Sequence, residues 1–134
     1  ADLDVDQSRV PRREVVWWIN ARKDEGQRPE HIQIGAGDYV GREMLRAYAE
    51  YEVRCRRAGL VDFAEILLRA HETLRDHAAL LAHYQRRFTH LLIDEFQDTN
   101  AIQYAFVRLL AGERGQVFIV GDDDQAIYGW RGAK

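Results

Sequence analysis

A change of period near residue 88 constrains this chain more than any other feature. Before it, apolar residues recur at helical spacing; after it come two short continuous apolar runs, Leu91-Leu92-Ile93 and Val117-Phe118-Ile119-Val120. Runs of this length, ended by Asp94-Glu95 in one case and by Gly121 with Asp122-Asp123-Asp124 in the other, predict fully buried strands. Between them Thr99 or Asn100 can cap a helix whose apolar face is Ile102, Ala105, Phe106, Leu109 and Leu110, closed by Gly112 and Gly115. Strand, helix, strand with a crossover of about two dozen residues makes a right-handed parallel unit. The expected fold class is α/β, a helical part over residues 1–87 followed by a strand-helix-strand piece over 88–134.

The helical part divides at its glycines and prolines. Pro11 can occupy a first turn, after which Val15, Trp18, Ile19 and Arg22 share a face until Gly26 and Pro29, so the first helix spans about 11–24. Trp17 and Trp18 are adjacent and diverge by some 100°, so at most one lies at the centre of a buried face. The stretch Gln33 to Gly41 holds three glycines and reads as a loop and the best internal linker. A second helix follows from about Arg42 to Ala58, with Met44, Leu45, Tyr48, Tyr51 or Glu52, and Cys55 on its stripe and Gly59 at its end. Asp62 can cap a third helix with Phe63, Ile66, Leu67, Ala70 and Leu74 on one face, and a shorter helix with Leu80, Leu81 and Tyr84 leads to Phe88.

Composition excludes several classes. In 134 residues there are 46% hydrophobic and 10% aromatic side chains and only two prolines, which argues for a packed domain over a disordered or low-complexity segment. No apolar stretch approaches the roughly 18 residues of a membrane span, and the opening Ala1-Asp2-Leu3-Asp4-Val5-Asp6 has no signal-peptide pattern, so the expectation is a soluble, cytoplasmic protein with no membrane partner. Cys55 is the single cysteine and is expected to be a small core residue; it excludes an internal disulfide and a zinc site built on cysteines. The five histidines lack metal-ligand spacing. Residues 1–90 hold 15 basic and 15 acidic side chains, whereas 91–134 hold 4 and 7, so the net charge of -3 arises in the strand-bearing part. Arg54, Arg56 and Arg57, and further on Arg86-Arg87, permit a basic face, although on charge pattern a solvated helix surface is the favoured reading.

Open parallel sheets carry their sites at the carboxyl ends of the strands, which is where the acidic residues cluster. Carboxylates brought close repel one another unless a cation compensates, and a hard divalent ion such as magnesium takes one or two protein carboxylates with the rest of its shell from water and phosphate. Asp94 and Glu95 are consecutive, so one can face a metal while the other orients or deprotonates a water.

Two strings surround these residues, Ile93-Asp94-Glu95-Phe96-Gln97-Asp98-Thr99-Asn100 and Val120-Gly121-Asp122-Asp123-Asp124-Gln125-Ala126-Ile127-Tyr128-Gly129-Trp130-Arg131-Gly132-Ala133. They closely resemble motifs II and III of the UvrD/Rep/PcrA family of DNA helicases. Gln103-Tyr104, the segment Ala58 to Leu68, and Trp18-Ile19-Asn20 with Lys23-Asp24-Glu25-Gly26 resemble further parts of that family. The resemblance implies a helical insertion subdomain followed by a piece of a RecA-like, P-loop NTPase sheet. It implies that Asp94 holds the magnesium of Mg-ATP, that Glu95 is the base for the attacking water, and that Gln125 senses the terminal phosphate. It also implies that Tyr128, Trp130 and Arg131 touch single-stranded DNA, that duplex junctions are the substrate, and that translocation runs 3′ to 5′ in DNA repair.

Departures from the family pattern carry expectations too. The phosphate cradle G-x-x-x-x-G-K-[ST] does not occur in this sequence, and the family's second motor domain with its arginine finger has no counterpart. The chain is therefore expected to be an excised piece that neither binds Mg-ATP well nor hydrolyses it alone, and its two strands are expected to promote self-association. Two other readings of the residues stand beside this one. The first is a magnesium-dependent nuclease built on Asp94, Glu95, Asp98 and Asp122 to Asp124; the second is a non-catalytic module whose helical part binds DNA or a protein.

Overall fold

The computed structural model describes residues 11–121. The chain forms two compact units that divide between Ala64 and Glu65.

In the first unit, Pro11 opens helix α1 (Arg12–Asp24), its carbonyl accepting the N–H groups of Glu14 and Val15 at 3.0 and 3.2 Å. The buried stripe of α1 is Val15, Ile19 and Lys23. Lys23 thus takes the place that spacing assigned to Arg22. Trp18 packs against the core while Trp17 is 67% exposed, as adjacent helical positions require. A single 3₁₀ turn, Pro29–His31, leads on to Asp38, whose carboxylate accepts the Gly41 N–H at 2.8 Å and caps α2 (Tyr39–Ala58). This cap starts the helix three residues before Arg42, so the end of the expected loop is already helical. At the other end Gly59 adopts φ 65°, and the N–H groups of Gly59 and Leu60 return to the carbonyls of Arg56 and Cys55. A left-handed residue is what that closure needs, and glycine adopts it without strain.

Met44, Ala47 and Tyr48 of α2 meet Val15 and Ile19 of α1 to form the core, with Trp18, Ile32 and Tyr51 packed against it. Tyr48 is fully buried, donates its hydroxyl to the Gln27 carbonyl at 2.8 Å, and receives the Trp18 ring edge-on at 6.3 Å. The polar tip is satisfied, so the aromatic body can be buried without an unpaired hydroxyl. Cys55 is half-buried.

The second unit contains α3 (Phe63–Asp76), which begins just ahead of the division, then α4 (Ala78–Arg87), β1 (His90–Ile93), a 3₁₀ turn (Phe96–Asp98), α5 (Ala101–Ala111) and β2 (Gln116–Ile119). The face expected for α3 is not the one it buries. Glu65, Leu68 and Leu74 are buried, while Phe63 is 93% exposed and Ile66 is exposed as well. Leu67 and Leu68 broaden the apolar arc until two faces are possible, and Leu68 wins. Glu65 accompanies it because Arg69, one turn on, donates to its carboxylate at 2.7 Å. Asn100 and Gln103 cap α5 reciprocally, each side chain accepting the other's backbone N–H at 3.0 Å. Gln85 of α4 donates to the Leu109 carbonyl of α5 at 2.9 Å.

The strands pair in parallel, as the crossover requires, but they are not fully buried. Leu92 is 71% exposed, and Val117, Phe118, Ile119 and Val120 are all exposed. Alternation in a sheet of two strands accounts for Leu92 and Phe118, which face away from α5, while Val117 and Ile119 stay exposed on its side because α5 packs on β1 more than on β2. On that side Ile93, Val117 and Ile119 line a 460 Å³ cavity together with Tyr104 and Val107 of α5. Among the described residues no helix is long and apolar enough to cross a membrane.

Candidate active site at the carboxyl edge of the sheet

The register sets His90 beside Gln116 and Ile93 beside Ile119, so both strands finish at the same edge. Pairing continues beyond them: Val120 donates its N–H to the Ile93 carbonyl at 2.8 Å, and Phe96 donates to the Val120 carbonyl at 3.0 Å. Asp94 and Glu95 are the two residues through which β1 turns away, and both side chains are exposed. Glu95 has φ 53° and ψ 43°, the single positive φ of a non-glycine among the described residues. A left-handed residue with a long side chain costs about 1–2 kcal/mol, which the surroundings must supply.

Three hydrogen bonds hold the corner. Glu95 donates its N–H to Asp94 Oδ1 at 2.9 Å, Asp98 donates its N–H to the Glu95 carbonyl at 2.9 Å, and Gln97 Nε2 donates to Glu95 Oε2 at 2.5 Å. Gln97 also approaches the exit of β2, where a Cβ on Gly121 would lie 2.8 Å from Gln97 Oε1 and 3.3 Å from Phe96 Cβ. A side chain at 121 would have to displace the Gln97 amide and crowd Phe96. Gln97 thus spans the two strand ends, a positioning role that sequence reading left unassigned. The available signal was an amide two residues after a carboxylate in a string otherwise rich in acids.

Asp94 spends Oδ1 on its neighbour's N–H and presents Oδ2 as a hard donor, which suits an ion that takes one protein oxygen and fills the rest of its shell with water and phosphate. Among the described residues no three His, Cys, Asp or Glu side chains gather into a metal cage. Asp98 contributes a buried Oδ1 without a partner, inside the turn rather than on the exposed rim with Asp94. Gln125, Tyr128, Trp130 and Arg131, like Asp122 to Asp124, lie outside the described residues.

A second polar cluster belongs to the first unit, and sequence reading did not find it. Lys23 is 2% exposed and donates to Asp62 Oδ2 at 3.0 Å; the Tyr51 hydroxyl donates to the same oxygen at 2.8 Å, and the Lys23 ammonium lies 5.2 Å from the Tyr51 ring. Burial first, and then the bond to Asp62, push the Tyr51 hydroxyl above its ordinary pKa. Asp24 is raised as well, by burial and secondarily by the Asp62 charge. Asp62, expected as a helix cap, is bound up in this cluster. Arg54 pairs with Glu50 on the exposed face of α2 at 2.7 Å, a solvated helix pair.

The chain belongs to the UvrD/REP helicase N-terminal domain family, whose model matches residues 1–134. It is 57% identical over 132 residues to DNA helicase II of Salmonella typhimurium and 56% identical over 132 residues to DNA helicase II of Escherichia coli, covering 98% of this chain and 18% of each relative. It is also 33% identical over 132 residues to the ATP-dependent DNA helicase PcrA of Leuconostoc citreum, again over 98% of this chain and 18% of that protein. The chain therefore spans less than a fifth of the length of these relatives.

Proposed function

We propose that this chain is the part of an ATP-dependent DNA helicase in which nucleotide hydrolysis is coupled to movement on single-stranded DNA, 3′ to 5′, at duplex junctions and in the cytoplasm. Residues 1–87 are the helical insertion of the first motor domain, and 88–134 are a piece of its RecA-like sheet carrying motifs II and III. The observation that carries the reading is the shared edge of β1 and β2, where Asp94 and Glu95 turn away beside the start of the Gly121 to Trp130 string.

In this reading Asp94 would hold the magnesium of Mg-ATP, and the bound nucleotide would supply the phosphoryl group and the metal the charge neutralisation of its transfer. Glu95 accepts the proton of the attacking water. Gln97 orients Glu95 through its amide nitrogen, and the left-handed corner turns the carboxylate out of the strand direction. Gln125 contacts the terminal phosphate. Tyr128 and Trp130 stack on bases and Arg131 pairs with a phosphate, contacts that need no base sequence. Because the G-x-x-x-x-G-K-[ST] cradle is not among these residues, the chain alone does not turn over ATP.

The test replaces the matching 18% of Escherichia coli DNA helicase II with this chain. The chimera is expected to retain DNA-stimulated ATP hydrolysis. Glu95→Gln in it lowers kcat by roughly 100-fold or more while nucleotide and DNA binding persist. A Glu95→Gln chimera that hydrolyses ATP like the unaltered one defeats the assignment. Cleavage of DNA by the isolated chain in magnesium without nucleotide replaces it with the nuclease reading.

A further inference from the structure

Glu95 and the exit of β2 meet the same side chain. The Gln97 amide nitrogen donates to Glu95 Oε2 at 2.5 Å, and the oxygen of that amide stands 2.8 Å from where a Cβ on Gly121 would be. The backbone around it is held. Asp98 donates its N–H to the Glu95 carbonyl at 2.9 Å, Thr99 donates to the Phe96 carbonyl at 3.0 Å, and Phe96 donates to the Val120 carbonyl at 3.0 Å. The 96–98 turn is thus fixed both in itself and to β2, and the Gln97 side chain is the part that can give.

Conformation does not require glycine at 121. The positive φ angles among the described glycines belong to Gly26, Gly59 and Gly112, so the backbone at Gly121 would accept an L side chain. Space is what excludes one. A Cβ there would meet Phe96 Cβ and the Phe96 nitrogen at 3.3 Å, contacts that can yield slightly, and Gln97 Oε1 at 2.8 Å, which must move. An amide pushed from that position carries its nitrogen with it, and the hydrogen bond to Glu95 lengthens or breaks.

We infer that Gln97 is a positioning residue through which the exit of β2 sets the Glu95 carboxylate, and that the bare Cα of Gly121 is the clearance that lets it do so. The inference rests on the role proposed for Glu95 and extends it across the strand pair. Gly121 opens the string that contains Gln125, so a shift of that string reaches the base through one amide. A carboxylate that takes a proton from an attacking water tolerates little displacement; an error of about 1 Å can cost roughly two orders of magnitude in rate. At a left-handed corner with an exposed side chain, the Gln97 donor is a contact that fixes which way the carboxylate points.

The experiment uses the chimera in which this chain replaces the matching part of Escherichia coli DNA helicase II. Gln97→Met, which keeps the length and loses the donor, is expected to lower kcat for DNA-stimulated ATP hydrolysis roughly tenfold, with KM for ATP within about twofold. Gly121→Ala is expected to do the same. The two together should stay near roughly tenfold, where independent effects would reach about a hundredfold. A readout without nucleotide is the thermal unfolding of the 134-residue chain: Gly121→Ala should lower Tm by about 3 °C alone and by about 1 °C beside Gln97→Ala. Should Gly121→Ala fail to fold, Gln97→Met decides. Unaltered kcat in Gln97→Met, effects that multiply, or equal Tm losses in both backgrounds overturns the inference. With Glu95→Gln inactive, such a result leaves the motor assignment standing; Glu95→Gln that hydrolyses ATP like the unaltered chimera removes both.

Discussion

The helical unit and the sheet-bearing unit are similar in size and opposite in how they spend their apolar residues. In the first, Val15, Ile19, Met44, Ala47 and Tyr48 close on one another, and even the charged Lys23 is buried against a partner. In the second, α3 buries Leu68 and Leu74 and α5 buries Ile102, while every residue of β2 is exposed. Helices bury a stripe wherever one neighbour is available, whereas a parallel sheet needs cover on both faces. The first unit therefore closes a core of its own while leaving Trp17 and Leu60 exposed; the second, among the described residues, buries no residue of its strands.

Truncation at the centre of the closed unit should break this contrast most sharply. Tyr48→Ala removes a fully buried ring, its Trp18 partner and its bond to Gln27, and should cost about 3–5 kcal/mol in urea unfolding followed by circular dichroism. A loss below about 1 kcal/mol would show that the core is looser than its burial implies. Lys23→Ala comes next, at about 3 kcal/mol, because it removes the buried ammonium that Asp62 accepts beside the Tyr51 hydroxyl; Lys23→Met with Asp62→Leu should recover most of that loss.

A smaller effect of the other sign is expected at Asp24, which ends α1. Its carboxyl sits above the ordinary 3.8, from burial first and the Asp62 charge second, so the folded chain binds that proton more tightly than the unfolded chain does. Its contribution is thus most favourable below pH 3.8 and is lost as pH rises through the raised value. Asp24→Asn, which also removes an anion from a helix C-terminus, should raise Tm by about 1–2 °C at pH 7 and leave it unchanged at pH 3. Smallest of all, Leu92→Ala at the bare face should shift stability by no more than about 0.5 kcal/mol; a core-sized loss would mean that something covers it.

Much of this was legible in the residues. Both strands, the parallel crossover and the Gly59 closure follow from short local patterns, and the cap of α5 was narrowed to Thr99 or Asn100, because turns and caps are decided by neighbours in the chain. Burial was less legible. Apolar runs such as Val117 to Val120 say which residues ought to be covered, not whether a cover is present. The Lys23-Asp62-Tyr51 cluster escaped because its members are brought together by folding, and a lysine on an apolar stripe is usually taken for an interruption. At the site, Asp94 and Glu95 stood out by their spacing, whereas the role of Gln97 needed the close approach of Gly121 to become visible.

The left-handed corner at Glu95 sets two selection pressures against each other. Glycine there would relax the backbone and remove the carboxylate in one step. A randomised library at position 95 sorted for heat resistance should enrich Gly, whereas the same library carried in the helicase chimera and sorted for ATP hydrolysis should, on the role proposed for Glu95, discard it, so the two screens would point to opposite answers at one codon.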